Sequence, residues 1–168
     1  MFFTYETGKS GIGDERPHGV IWYWKNITIT NEFKKRSKYS KLILRGAIII
    51  LDLWVNGVYK GSHDGAYTRF AFELGKFAEG EEVLLSIRVE DPHSEEQVRG
   101  KQRWLSDNYG CWYVQTTGIW KDVWLEQVSD DYVEKIKITP DIYKKTVTIH
   151  TMCHSNKENL IIEIGRLF

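Results

Sequence analysis

One stretch limits the possible folds more than any other: Thr117-Gly118-Ile119-Trp120-Lys121-Asp122-Val123-Trp124-Leu125-Glu126. Gly118 suits a turn that needs positive φ, and the β-branched and aromatic residues behind it suit a pleated strand. Side chains alternate along a strand, so Ile119, Val123 and Leu125 share one face, while Trp120, Trp124 and Val128 share the other with Asp122 and Glu126. A strand half in water would show one polar face. This one is apolar on both, so a second sheet, a long loop or a neighbouring domain must cover the further face.

Strand patterns surround it. Residues 20–30, 41–45, 48–55, 69–74, 83–90 and 119–128 read as strands, and no segment sustains a helical period. Val83, Leu85, Ile87 and Val89 alternate with Glu82, Ser86, Arg88 and Glu90, with Leu84 the exception. Ile49, Leu51, Leu53 and Val55 make a second apolar face, and Asn56-Gly57 supplies the two positive φ values of a tight hairpin turn, expected at the centre of its sheet. Gly61 to Tyr67 reads as a polar connection, after which Phe70, Phe72 and Leu74 return the chain to the core. Many short strands without helices between them predict an all-β antiparallel sandwich.

Two segments stand outside that pattern. Residues 91–117 form a loop longer than compact domains usually carry, which marks it as functional or mobile. Within it, Asp91, Glu95 and Glu96 cluster with Pro92 and Ser94 and read as a solvated turn. After Ser129-Asp130-Asp131 a new unit begins: Ile136 and Ile138 alternate with Lys135 and Lys137, followed by Val147 and Ile149, then Leu160, Ile162 and Ile164.

Composition removes several classes of function. Lys+Arg and Asp+Glu both number 23 in 168 residues, so a phosphate-tracking surface or a polybasic membrane patch has no support, and neither nucleic acid nor a membrane is expected as a partner. Met1 to Glu6 does not open a secretory signal, which predicts a cytosolic location, reduced thiols at Cys111 and Cys153, and an accidental glycosylation motif at Asn26-Ile27-Thr28. His150, Cys153 and His154 fall short of a closed zinc set, and neither Gly-x-Ser-x-Gly nor a phosphate-cradling loop occurs, so no metal and no cofactor is expected.

Several segments together resemble the N-terminal sugar-binding domain of glycoside hydrolase family 2. Gly118-Ile119-Trp120, with Asp122 to Glu126, is like that domain's last strand. Gly19-Val20-Ile21-Trp22-Tyr23-Trp24 is like its first long strand. Trp54-Val55-Asn56-Gly57, continuing through Gly61 and His63, looks like its central hairpin, and Arg99-Gly100-Lys101-Gln102 like the loop before the closing strand. The matches run from about Gly11 to Val128 in the family's order. The resemblance implies a galactose-binding-like jelly roll over residues 1–130, followed over 131–168 by the incomplete start of an immunoglobulin-like sandwich, a unit that needs about 100 residues when whole.

It also implies a parent enzyme, β-galactosidase-like, that hydrolyses β-glycosides with retention, using two carboxylates about 5 Å apart. In the family both come from a downstream (β/α)₈ barrel, for which a chain of this length has no room, so no catalytic residue is expected here. The domain's own part would be a loop lining the sugar pocket. Arg99, Lys101, Gln102, Trp104, Asp107 and Trp112 are its candidate sugar-binding residues: donors and acceptors for hydroxyls, and flat faces for the C–H side of a pyranose. In well-known family members an aspartate touching the sugar stands closer to the closing glycine, where this chain has Gly110, Cys111 and Trp112. Asp107 would need a shifted loop. Expected partners are carbohydrate, the missing downstream barrel, and a second copy paired through residues 132–168, where unfinished strands leave edges and an apolar face open. A free-standing carbohydrate-binding module and a β-sandwich interaction domain are the rival readings.

Overall fold

The computed structural model describes residues 3–30, 39–92, 98, 100–105 and 107–155. Its strands are β1 (Val20–Thr28), β2 (Tyr39–Leu44), β3 (Ala47–Ile48), β4 (Ile50–Val55), β5 (Val58–Asp64), β6 (Phe70–Gly75), β7 (Glu82–Glu90), β8 (Gly118–Ile119), β9 (Val123–Val128), β10 (Tyr132–Asp141) and β11 (Thr146–His154). One sheet has the order β1-β7-β4-β5; a second runs β6-β2-β9, and the short β3-β8 pair stands beside it. Among the described residues every strand pair is antiparallel. The fold is the all-β antiparallel sandwich that the alternation predicts, of the kind the jelly-roll resemblance implies.

Period-two alternation sorts the core. Leu51, Leu53 and Val55 of β4 and Val83, Leu85, Ile87 and Val89 of β7 face Leu42 and Leu44 of β2 and Phe72 and Leu74 of β6 in one buried cluster. Leu44, Leu53, Val83 and Val89 are completely covered, whereas Leu84, the break in the pattern, stays exposed on the outer face. The turn after β4 has φ of 49° at Asn56 and 80° at Gly57, as a two-residue hairpin demands. Asn56 also ties this turn to β7: its Oδ1 accepts from the Leu84 amide at 2.8 Å, and its own amide donates to the Leu84 carbonyl at 2.9 Å.

Four expectations need correction. The segment from Gly61 is not a connection, because residues up to Asp64 belong to β5 and hydrogen-bond to β4. The hairpin is not central as a whole, since β4 is flanked on both sides but β5 is the sheet edge. Asp91 is not solvated: it is 2% exposed, and its amide bonds to the Gly19 carbonyl at 2.9 Å. Glu95 and Glu96 lie outside the described residues. The closing strand is interrupted at Trp120 to Asp122, where the Arg45 amide still reaches the Asp122 carbonyl at 3.0 Å and bridges the break.

The second apolar face of that closing strand is covered in a way periodicity cannot show. Trp124 pairs with Ile43 of β2, and Ile43 is only 3% exposed although it points away from the core. The guanidinium of Arg69 lies 5.1 Å over the Trp124 ring, and Trp124 Nε1 donates to Glu126 at 2.7 Å. Trp120 is fixed by a close approach, donating from Nε1 to the Ala66 carbonyl at 3.1 Å above Gly46, where a Cβ would meet the indole at 2.8 Å.

β10 and β11 form a two-stranded sheet of their own. Ile136, Ile138 and Val147 alternate onto one side and are 55%, 63% and 60% exposed. Isolated hairpins are marginal in water, and among the described residues this apolar side is largely open to solvent. Leu160, Ile162 and Ile164 lie outside the described residues.

The contrast between the sandwich and the hairpin is measurable. Leu53→Ala should cost about 3 kcal/mol in urea unfolding, since the site is fully enclosed. Val147→Ala should cost less than about 0.5 kcal/mol because it is already largely in water. Similar costs at the two sites would contradict this division.

Candidate functional site

The long loop is held by the start of the chain. Residues 3–18 turn back over the sandwich, with a short 3-10 turn at Gly8–Ser10. Glu6 is 4% exposed and Thr117 fully buried, and the Thr117 amide donates to Glu6 Oε1 at 2.8 Å. One residue on, Gly118 has φ of 82°, and any side chain there would run into the Tyr23 hydroxyl. That hydroxyl accepts from the Ile119 amide at 3.2 Å, and burial pushes the phenol above its ordinary pKa, so it stays protonated. Gly118 is therefore required twice, by its backbone and by its neighbour.

Arg103 is the second anchor. It is 7% exposed, and its guanidinium donates to three acceptors: Gln115 Oε1 at 3.2 Å, Asn108 Oδ1 at 3.0 Å and Glu15 Oε2 at 3.0 Å. Gln115 closes the ring by donating to the Glu15 carbonyl at 2.6 Å. The planar fork of arginine can serve acceptors in several directions at once, which a lysine cannot reproduce. Backbone bonds add to this, from the Arg103 amide to Tyr113 O at 2.6 Å and from the Tyr113 amide to Lys101 O at 2.8 Å.

On this base the candidate sugar-binding residues divide. Gln102 is structural: its Oε1 accepts from the Thr116 amide at 2.8 Å. Lys101 is exposed, with its backbone carbonyl used by Tyr113. Trp104 is 54% exposed and meets Trp112 edge-on at 4.8 Å and Tyr109 edge-on at 5.4 Å. Trp112 is half-buried, and Asp107 is exposed on the same loop tip. Arg99 lies outside the described residues. The structure thus gathers Trp104, Tyr109 and Trp112 into one cluster, with Lys101 and Asp107 as exposed charges on the same loop. Arg103, Gln115 and Glu15 were not legible, because they stand 12 to 100 residues from one another in sequence. A basic residue in a polar loop resembles any other until its burial is known.

The arrangement is a β-sandwich that carries a cluster of three aromatic rings on one long loop. No family model matches the chain. A β-galactosidase of Thermoanaerobacter pseudethanolicus is 26% identical over 131 residues, covering 76% of this chain and 16% of the enzyme. The β-galactosidase BoGH2A of Bacteroides ovatus is 25% identical, covering 78% of this chain and 14% of its own length. The solved structure of a Faecalibacterium prausnitzii β-glucuronidase superposes with a TM-score of 0.63 at 19% identity, over 91% of this chain and 29% of that one. The chain therefore spans a small part of the relatives it matches. Over most of its own length the chain is similar to a small part of these β-galactosidases, and it shares the fold of the matching part of the β-glucuronidase.

Replacing the anchor should release the loop without unfolding the sandwich. Arg103→Ala is expected to lower stability by about 2 kcal/mol, below the cost of stranding a buried charge because Glu15 can turn to water. Chymotrypsin should then cut faster at Trp104 and Trp112, and Arg103→Lys should not restore protection. Unchanged cleavage in both variants would show that the loop is held by other contacts.

Proposed function

We propose that this chain is the N-terminal sugar-binding domain of a retaining β-glycosidase, β-galactosidase-like, acting in carbohydrate metabolism together with a catalytic barrel that the 168 residues do not include. The observation that carries the reading is the loop from Lys101 to Trp112, rigidly based on Arg103 yet presenting Trp104 half in water. A flat partner that covers an indole held half in water gains the free energy of removing its apolar surface from water. In this role Lys101, Gln102, Trp104, Asp107 and Trp112 line one side of a sugar pocket completed by the barrel, while Arg99, the sixth candidate, lies outside the described residues. Gln102 would act by holding the backbone at Thr116, and the exposed charges of Lys101 and Asp107 by bonding hydroxyls. The unit boundary near residue 130 belongs to the same proposal, with residues 131–168 beginning an immunoglobulin-like domain. The chemistry that relatives' names record would reach this protein only through the barrel's two carboxylates.

The purified chain should give no turnover of chromogenic β-galactoside, β-glucuronide or β-mannoside. Hydrolysis that follows the protein through purification and disappears in Asp91→Asn or Asp107→Asn would overturn this reading.

The open side of β10–β11 is where the next part of the larger protein would pack, and in its absence a second copy is the proposed cover. Light scattering on the full chain and on a version ending at Asp130 tests this. A dimer is expected only for the full chain, and a monomer in both refutes the pairing.

A further inference from the structure

The outer face of the four-stranded sheet carries a second aromatic surface, remote in sequence from the loop. Trp22 and Trp24 of β1 stack at 5.9 Å with ring planes 9° apart; Trp22 meets Trp54 of β4 at 5.3 Å, and Trp54 meets Tyr59 of β5 at 5.4 Å. Trp22, Trp24 and Tyr59 are 43%, 65% and 53% exposed. The register explains the layout. Trp24, Ser86, Trp54 and Tyr59 form one row straight across the strands, and Trp22, Arg88, Asp52 and Ser62 form the next. An aromatic row thus runs beside a polar one. In the polar row Arg88 bonds Asp52 at 3.3 Å and Glu90 at 2.5 Å, while Tyr59 Oη donates to Asp52 at 3.1 Å.

At the β1 end the strip runs into an open cleft of about 390 Å³ lined by Tyr5, Ile12, Asp14, His18, Trp22 and Trp24. Arg16 donates to both oxygens of Asp14, at 2.9 and 2.7 Å, and holds its carboxyl well below the usual carboxylate range. Hydrogen-bonding groups therefore flank the rings along one side and at one end.

We propose that this strip binds an extended, neutral oligosaccharide of β-linked pyranoses, seated on Trp24, Trp22, Trp54 and Tyr59 with its hydroxyls directed at Asp52, Arg88 and the cleft. Successive ring centroids lie 5.3 to 5.9 Å apart, with planes turned by 32° between Trp22 and Trp54 and by 55° between Trp54 and Tyr59, so the strip offers a series of aromatic faces and edges rather than one flat plate. Pyranoses offer a C–H face to the rings and hydroxyls that both donate and accept, which suits a row holding charges of both signs. A protein cover fits less well. Interface cores are depleted of charge, and sealing this face would strip water from Arg88, Asp52 and Glu90 together. The site is separate from the loop around Trp104, and its failure would leave the family reading intact.

The test is affinity electrophoresis and tryptophan fluorescence of the full chain with β-1,4-linked hexasaccharides and soluble polysaccharides of glucose, galactose, xylose and mannose. At least one should retard the chain. Trp24→Ala and Trp54→Ala should each weaken that binding about tenfold, the scale of one stacked ring. Tyr143→Ala, which removes an exposed aromatic on the β10–β11 turn, should not. Thermal melts keep loss of fold apart from loss of binding, since Trp24 lies mostly in water. No retardation by any glycan overturns the proposal. So does binding that Trp104→Ala abolishes while Trp24→Ala leaves it intact, which would place the sugar on the loop. A dimer that dissociates in Trp24→Ala would assign the strip to a second copy and overturn it as well.

Discussion

The amide of Thr117 sits where water does not reach, and a buried backbone donor must find an acceptor. Glu6, 111 residues earlier, provides it. That hydrogen bond ties the first turn of the chain to the turn that opens its last sandwich strands, and much else follows from it. With residues 5 and 6 fixed there, the Tyr5 hydroxyl can donate to Arg16 O at 3.0 Å, which folds the lead-in on itself. Glu15 is then within reach of Arg103. The long loop is thereby held by the lead-in at two points, Arg103 and Thr117, with Trp104 exposed between them.

How much of this is legible in the amino-acid order depends on the distance over which each residue is decided. Alternation at Val83–Val89 and Leu51–Val55 places the core correctly, because a strand with one buried face records its environment every second residue. Asn56-Gly57 is equally readable, since its constraint is its own φ. β5 escapes because Val58–Asp64 is an edge strand whose residues are mostly polar or exposed, so little apolar periodicity survives to mark it. Asp91 escapes for the opposite reason: carboxylates beside a proline belong in turns on average, and only tertiary structure makes this one an exception. Among the site residues, Trp104 and Trp112 were visible as exposable aromatics, while the group that organises them, Arg103, was not.

The two aromatic surfaces differ in construction, and the difference bears on what each can do. The strip on β1, β4 and β5 is built on hydrogen-bonded strands, so its rings hold their spacing without help. The cluster of Trp104, Tyr109 and Trp112 rests on a loop whose geometry depends on one guanidinium and a few backbone bonds. The strip can therefore present a preformed surface, whereas the loop is suited to adjusting against a surface that meets it.

The contact between Trp120 and Gly46 has an evolutionary corollary. Because the indole occupies the space where a Cβ at position 46 would stand, neither residue can change freely while the other is kept. Enlarging position 46 would expel the ring, freeing the Ala66 carbonyl and loosening the segment that Tyr67 holds edge-on against it. Descendants of this chain should therefore drift at these two sites in concert, trading a glycine and a tryptophan for a larger and a smaller residue together.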